Sequence, residues 1–211
     1  MKKVARIIAT WGLITGLAGL LLQFAITIPA SMAAGRGFAL SVLFYFSFFT
    51  IPANIGAVIS HAAQVLPLDR LKTFHRRNIS GAVTTMMLAS GVMYHFVLAP
   101  LWASKGLFWL SDALLRYVTP ILMLLWWLAS ANGKARFVTL LWWLVPPAAY
   151  MVFIYVRWLL VHEVPYPFLE PNQTRQDWLR GMVGLCEFYL LTAVVVVLAD
   201  KTIGWVRREF L

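Results

Sequence analysis

The chain has 211 residues, of which 61% are hydrophobic and 12% charged, with a formal net charge of +10. Its mean hydropathy is +0.77, whereas a typical soluble domain is about 25% charged. A water-soluble enzyme is excluded, and the length holds one compact bundle with no room for a separate soluble domain.

Six apolar stretches follow one another at about 7–30, 38–65, 79–100, 108–130, 137–160 and 181–199. Each reaches the ~20 residues that a hydrocarbon core ~30 Å thick demands of a helix. The pattern predicts an all-α polytopic membrane protein, with residues 1–211 forming one domain of six transmembrane helices. The first stretch follows Lys2-Lys3 and runs to Ser31-Met32-Ala33-Ala34. It is longer than the apolar core of about 7–15 residues in a signal peptide, so it reads as a retained helix.

In the second stretch, Ser47, Thr50, Asn54 and His61 fall on one face at about 100° per residue. Lipid cannot satisfy such a stripe, so it faces protein or water. Helix–helix hydrogen bonding competes with a functional role there. The segment 66–78 is a basic loop carrying Asp69, Arg70, Lys72, Arg76 and Arg77. His95 lies in the third stretch, where a structural and a catalytic role stand equal. Asp112 and Arg116 in the fourth are spaced i, i+4 and able to pair. Unpaired, an intramembrane arginine costs ~2.5–3.5 kcal/mol on insertion scales.

The link 131–136 reads as a tight turn, and Pro146-Pro147 as a kink in the fifth stretch. The 161–180 loop, with Pro165, Pro167 and Pro171, reads as a stiff cap. Trp102, Trp109, Trp158 and Trp178 fall at expected membrane interfaces. The last stretch carries Glu187 and the single cysteine, Cys186, so no intramolecular disulfide or thiolate metal cluster can form.

The basic residues are distributed asymmetrically. Lys2, Lys3, Arg6, Arg70, Lys72, Arg76, Arg77, Lys134, Arg136, Lys201, Arg207 and Arg208 fall on one side of the expected topology. Arg36, Lys105, Arg175 and Arg180 fall on the other. The positive-inside rule then places both termini in the cytoplasm. The positive charge reports topology and contact with anionic lipid, and implies no nucleic-acid partner.

At ~1.5 Å per residue, Thr50 lies ~18 Å, Arg116 ~12 Å, Glu187 ~9 Å and His95 ~6–9 Å below the outer boundary. One cavity among helices two, three, four and six could therefore hold all of them. His61 lies ~35 Å down on the same scale, too far from His95 to share a haem or metal. No cofactor is expected. The chain has no HExxH, GxSxG or Walker motif.

The segment Val164-Pro165-Tyr166-Pro167-Phe168-Leu169-Glu170, after Trp143-Leu144-Val145-Pro146-Pro147-Ala148-Ala149-Tyr150, resembles the androgen-induced-protein family of multipass membrane proteins. The second stretch, from Phe44 to Asn54, is similar to that family's threonine-bearing second helix, in particular in its bacterial branch. The fourth, Leu114-Leu115-Arg116-Tyr117-Val118-Thr119-Pro120-Ile121, is similar to its His-x-x-x-Pro region. The resemblance covers nearly the whole chain. It implies a hydrolase of fatty acid esters of hydroxy fatty acids, with Thr50 as nucleophile.

The family histidine does not carry over, because Arg116 and its neighbours occupy its region. Arginine keeps its proton, so it is no general base, but it can hold a carboxylate or an oxyanion. The expected catalytic pair is then Thr50 with His95. The expected substrate-binding set is Arg116, Asn54, Glu187, Asp112 and Tyr166. Membrane lipids or a fatty-acyl ester are the expected partners, and a bacterial inner membrane is the expected location. A catalytically inactive lipid-binding protein is the alternative, and a small transporter a weaker one.

Overall fold

The computed structural model describes residues 2–101, 104–166, 169 and 175–210. Trp102, Pro167, Phe168, Glu170 and Pro171 lie outside the described residues, as does the side chain of Trp178, so most of the expected cap does too. All described elements are helical: α1 (Lys2–Ala33), α2 (Phe38–Phe46), α3 (Thr50–Val65), α4 (Arg77–Met93), α5 (Leu107–Ala113), α6 (Thr119–Ala129), α7 (Leu140–Trp143), α8 (Val145–Val161) and α9 (Arg175–Phe210). Five helical runs are long and apolar enough to cross a membrane: Lys3–Ala33, Arg77–Leu98, Leu107–Ala129, Phe137–Val161 and Arg180–Phe210. A sixth span exists if α2 and α3, bent by 72° at their junction, count as one. The fold is therefore compatible with an integral membrane protein of five or six spans.

The lateral surface is apolar, as contact with lipid requires. Leu21, Leu141, Trp142, Val152 and Leu160 all point outward. The polar side chains have moved inward: Ser41, Asn54, Ser60, Thr84, Thr85 and Ser111 are fully buried. Thr84 and Thr85 donate to the carbonyls of Ser80 and Gly81 one turn back, so their hydroxyls are satisfied within their own helix. Turning polar groups inward suits a bilayer, where an internal partner is needed, although the Ser41 and Ser60 hydroxyls have none among the described residues.

α4 is the central helix, packed against α3, α6, α7 and α9, while α1 lies along α3 and α6. Small residues permit the close approaches. A methyl group on Gly12 would collide with the His61 ring, and one on Gly81 with Trp143. By contrast, the backbone of α8 stands off from the bundle and comes nearest it at α7. The fifth apolar stretch is interrupted at Leu144, and Pro146 and Pro147 sit in the first turn of α8, where a missing N–H costs nothing.

One end of the bundle is tied by arginines. Arg6 donates to the Val65 carbonyl, and Arg207 to the carbonyls of Ala131 and Leu128. Arg77 reaches Asp200 at 2.5 Å, Ser130 at 2.9 Å and the Trp127 carbonyl at 3.1 Å. Asp200 also accepts the backbone N–H groups of Asn132 and Ala135, which fastens the 131–136 turn to α9. Gly133, at φ 73°, packs directly on Gly204 in that turn. The cavities described next lie toward the other end.

Candidate functional site

The expected continuous helix over 38–65 is broken at Ser47-Phe48-Phe49. Pro52 supplies the reason. It has no N–H for the Phe48 carbonyl, and its ring would collide with that carbonyl in a continued helix. The chain therefore turns and restarts, and Thr50 becomes the first residue of α3. Ser47, Thr50, Asn54 and His61 do not form one straight stripe, because the bend separates Ser47 from the rest.

Thr50 opens onto an apolar chamber of about 320 Å³ between the start of α3, α4, α8 and α9. Met93, Leu98, Met151, Met182, Leu185 and Phe188 supply much of the wall. Its polar groups gather at one corner. The Thr50 and Ser90 hydroxyls are 3.0 Å apart. Tyr166 accepts the Phe49 N–H at 3.2 Å and also bonds to Thr50 and Tyr150. Tyr150 donates to the Ser47 carbonyl at 2.7 Å. Burial raises the Tyr166 phenol above its ordinary range, against the opposing pull of Arg116, the Phe49 N–H, Thr50 and Tyr150. Tyr166 therefore stays a neutral hydroxyl at physiological pH. Among the described lining residues there is no histidine, carboxylate or lysine.

A second cavity, of about 500 Å³, lies across the Phe48 wall from the first. The Phe48 ring sits 5.9 Å from that of Tyr166, edge to face. The lining here is mixed: beside Phe44, Phe48 and Phe108 stand Gln23, Thr27 and Ser31 of α1, then Arg36, Ser104, Lys105, Asp112 and Arg116. Arg116 pairs with Asp112 at 2.8 Å, as the i, i+4 spacing allows. Asp112 also accepts from Tyr94 at 3.0 Å and from Ser104. The guanidinium lies 4.2 Å above the Tyr94 ring, a cation–π contact. At the rim, Glu163 takes two hydrogen bonds from Arg36, at 3.1 and 3.2 Å, and one from Arg157 at 2.9 Å. Partial burial alone would raise the Glu163 carboxyl. The hydrogen bonds and charges of Arg157 and Arg36 outweigh it and hold the group below its ordinary range.

The remaining expected residues fall elsewhere. Asn54 is fully buried and lines neither cavity. Its amide donates to the Thr50 and Leu115 carbonyls at 2.8 and 3.0 Å, and its oxygen receives the Thr119 hydroxyl at 2.6 Å. That clamp answers a local need. Pro120 has no N–H to give, and residues 114–118 form a π-helical turn, so the Leu115 carbonyl takes side-chain donors instead. His95 also lies in a π-turn, Tyr94–Leu98. It is exposed on the outer surface, 3.2 Å from the Tyr117 hydroxyl, and does not meet Thr50. Glu187 is exposed, although its neighbours Cys186 and Phe188 line the apolar chamber. His61 is buried against Gly12 and edge-on to Trp126, remote from His95.

Thr50 and Tyr166 are thus brought together in one chamber, and Arg116 and Asp112 in the other. Ser90, Tyr150, Arg36, Lys105 and Ser31 line the two cavities without belonging to the expected set. Tyr150 and Ser90 carry no sequence signal beyond a polar atom within an apolar span. No group of three metal-ligating side chains occurs among the described residues. No family model, curated protein or solved structure matches this chain.

Proposed function

We propose that this chain is an integral membrane protein that binds a neutral fatty-acyl lipid, with the acyl chain in the apolar chamber and its carbonyl at the Thr50–Ser90–Tyr166 corner. The chemistry of that lining carries the reading. Apolar walls enclose a volume suited to a small ligand, and neutral hydroxyls at one corner orient it. With no cation in the described lining, an ester or protonated acid fits better than a carboxylate. The location that accords with the basic asymmetry is a bacterial cytoplasmic membrane, with six spans and both termini inside.

Hydrolysis of the bound ester is the second reading. It is favoured by the resemblance to an androgen-induced-protein family whose relatives cleave such esters, and by the Thr50 hydroxyl on the chamber wall. Against it stands the missing base. Thr50 has Ser90 and Tyr166 beside it, and neither takes a proton at neutral pH, whereas nucleophilic catalysis needs a base within hydrogen-bond reach.

Both readings are tested with purified protein in nanodiscs containing a fluorescent fatty-acyl ester. Saturable binding without product release is expected. It should be lost in Ala148→Trp, which fills the chamber, and weakened about tenfold in Thr50→Val, the loss of one hydrogen bond of roughly 1.4 kcal/mol. Product release that disappears in Thr50→Val would establish the hydrolase instead. Binding unchanged in Ala148→Trp would sink both.

A further inference from the structure

The polar cavity has no part in holding an acyl chain, yet its lining is too specific for a filler of space. Three cations border it, Arg36, Lys105 and Arg116. Two carboxylates answer them, Asp112 on Arg116 and Glu163, which Arg36 shares with Arg157. Lys105 makes no ion pair among the described residues, so positive charge is in excess around the cavity.

Asp112 repels an incoming anion little, because its oxygens already take Tyr94, Ser104 and Arg116. Arg116 uses one nitrogen on Asp112 and has no other hydrogen bond among the described residues. The Ser31 hydroxyl gives an independent sign. It is 4% exposed, belongs to the cavity lining, and has no hydrogen-bond partner. A buried hydroxyl without a partner costs about 1–3 kcal/mol, so a ligand acceptor that completes it is favoured.

We infer that this cavity is an oxyanion site that takes a phosphate group, held by Lys105 and the open nitrogens of Arg116, with the Ser31 hydroxyl as a neutral donor. Guanidinium and ammonium both suit phosphate, and a phosphodiester carries the negative charge that the unpaired Lys105 calls for. Phe44, Phe48 and Phe108 border the same cavity and supply apolar surface for whatever the phosphate is attached to. The site is independent of the acyl chamber, from which Phe48 separates it.

The full chain, purified in phosphatidylcholine nanodiscs containing phosphatidylglycerol, tests this by native mass spectrometry of the lipid retained after transfer to detergent. Wild type should keep one phosphatidylglycerol per chain in preference to phosphatidylcholine. The double variant Lys105→Gln/Ser31→Ala, which leaves the Arg116–Asp112 pair intact, should lose retention at least tenfold. Lys72→Gln, which removes an exposed charge remote from the cavity, should retain it.

Displacement of the lipid by inorganic phosphate would show that the site reads phosphate from either source. Retention in the presence of phosphate would restrict it to the lipid headgroup. Equal retention in wild type and the double variant would overturn the site. So would an equal loss in Lys72→Gln, or no preference over phosphatidylcholine. Because Ala148→Trp fills only the acyl chamber, retention in that variant keeps the two proposals separately testable.

Discussion

Two arginine–aspartate pairs occupy opposite ends of this bundle, and their surroundings give them opposite meanings. Arg77 and Asp200 are packed into the interior, with both terminal nitrogens of the guanidinium engaged. The carboxylate is fully buried and takes two backbone N–H groups besides the guanidinium, which also reaches a hydroxyl and a carbonyl and stacks 3.2 Å from the Trp127 ring centre. Arg116 is as sheltered as Arg77, each side chain 11% exposed, but among the described residues its one partner besides the Tyr94 ring is Asp112, and it borders a cavity. Burial alone does not distinguish a fastening from a site. Access to a cavity does, since Arg116 borders one, whereas the Arg77 Nε, without a hydrogen-bond partner among the described residues, is sealed in the interior.

The largest expected effect follows from breaking the interior pair. Asp200→Ala leaves Arg77 buried without its counter-ion and strips two backbone donors in the 131–136 turn. It should cost about 3–5 kcal/mol, read as a lowered midpoint of denaturant unfolding in detergent. A loss under 1 kcal/mol would mean that the turn is held by something other than Asp200. Arg116→Gln is milder, because Asp112 keeps Tyr94 and Ser104 as donors. A loss of about 1–3 kcal/mol is expected, together with loss of phosphatidylglycerol retention. Equal destabilisation by the two substitutions would erase the contrast and make Arg116 a second fastening.

A smaller change sharpens the comparison at the acyl chamber. Ser90→Ala removes the neighbour of Thr50 without opening a large void, and Thr50 keeps Tyr166. Acyl-ester affinity should fall threefold to tenfold, about 0.7–1.4 kcal/mol, with the unfolding midpoint nearly unchanged. A stability loss as large as that of Arg116→Gln would show that Ser90 serves the α3–α4 contact instead of the chamber.

The apolar spans were legible because length and hydropathy are summed over many residues. The edges of the third, fourth and fifth expected stretches agree with Arg77–Leu98, Leu107–Ala129 and Phe137–Val161 within about two residues. The Asp112–Arg116 pair was legible too, since it needs only one helical turn. The break at Ser47–Phe49 was not, although Pro52 signalled it, because an apolar run on both sides masks a helix stop. Side-chain facing failed for a different reason. Two π-turns, Tyr94–Leu98 and Leu114–Val118, each insert a residue into the helical repeat. Every side chain beyond such a turn is rotated by about 100° from the face a regular period assigns. His95 lies within one of them and faces outward. Depth arithmetic places residues along the bundle but not around it, so Glu187 shares the chamber's height without sharing its interior.

The gentlest perturbation is pH, acting on the rim of the polar cavity. Glu163 joins Arg36, after α1, to Arg157 on α8, and Arg157 also donates to the Glu163 carbonyl. Its folded carboxyl lies below the ordinary value of 4.5, so the unfolded state binds the proton more readily. The stabilisation is therefore complete above that ordinary value and is lost as pH falls through the folded one. Half-exposed, the pair is screened by salt, and the effect on global unfolding should be slight. Local opening is the sensitive readout. Amide hydrogen exchange in residues 34–37 and 162–164 should rise as pH falls from 6 to 3, relative to the intrinsic rate at each pH. Glu163→Gln should exchange fast throughout that range and lose the dependence. A pH response that persists in Glu163→Gln would place the titrating group elsewhere and leave α8 held at the rim by Arg157 and the backbone carbonyl alone.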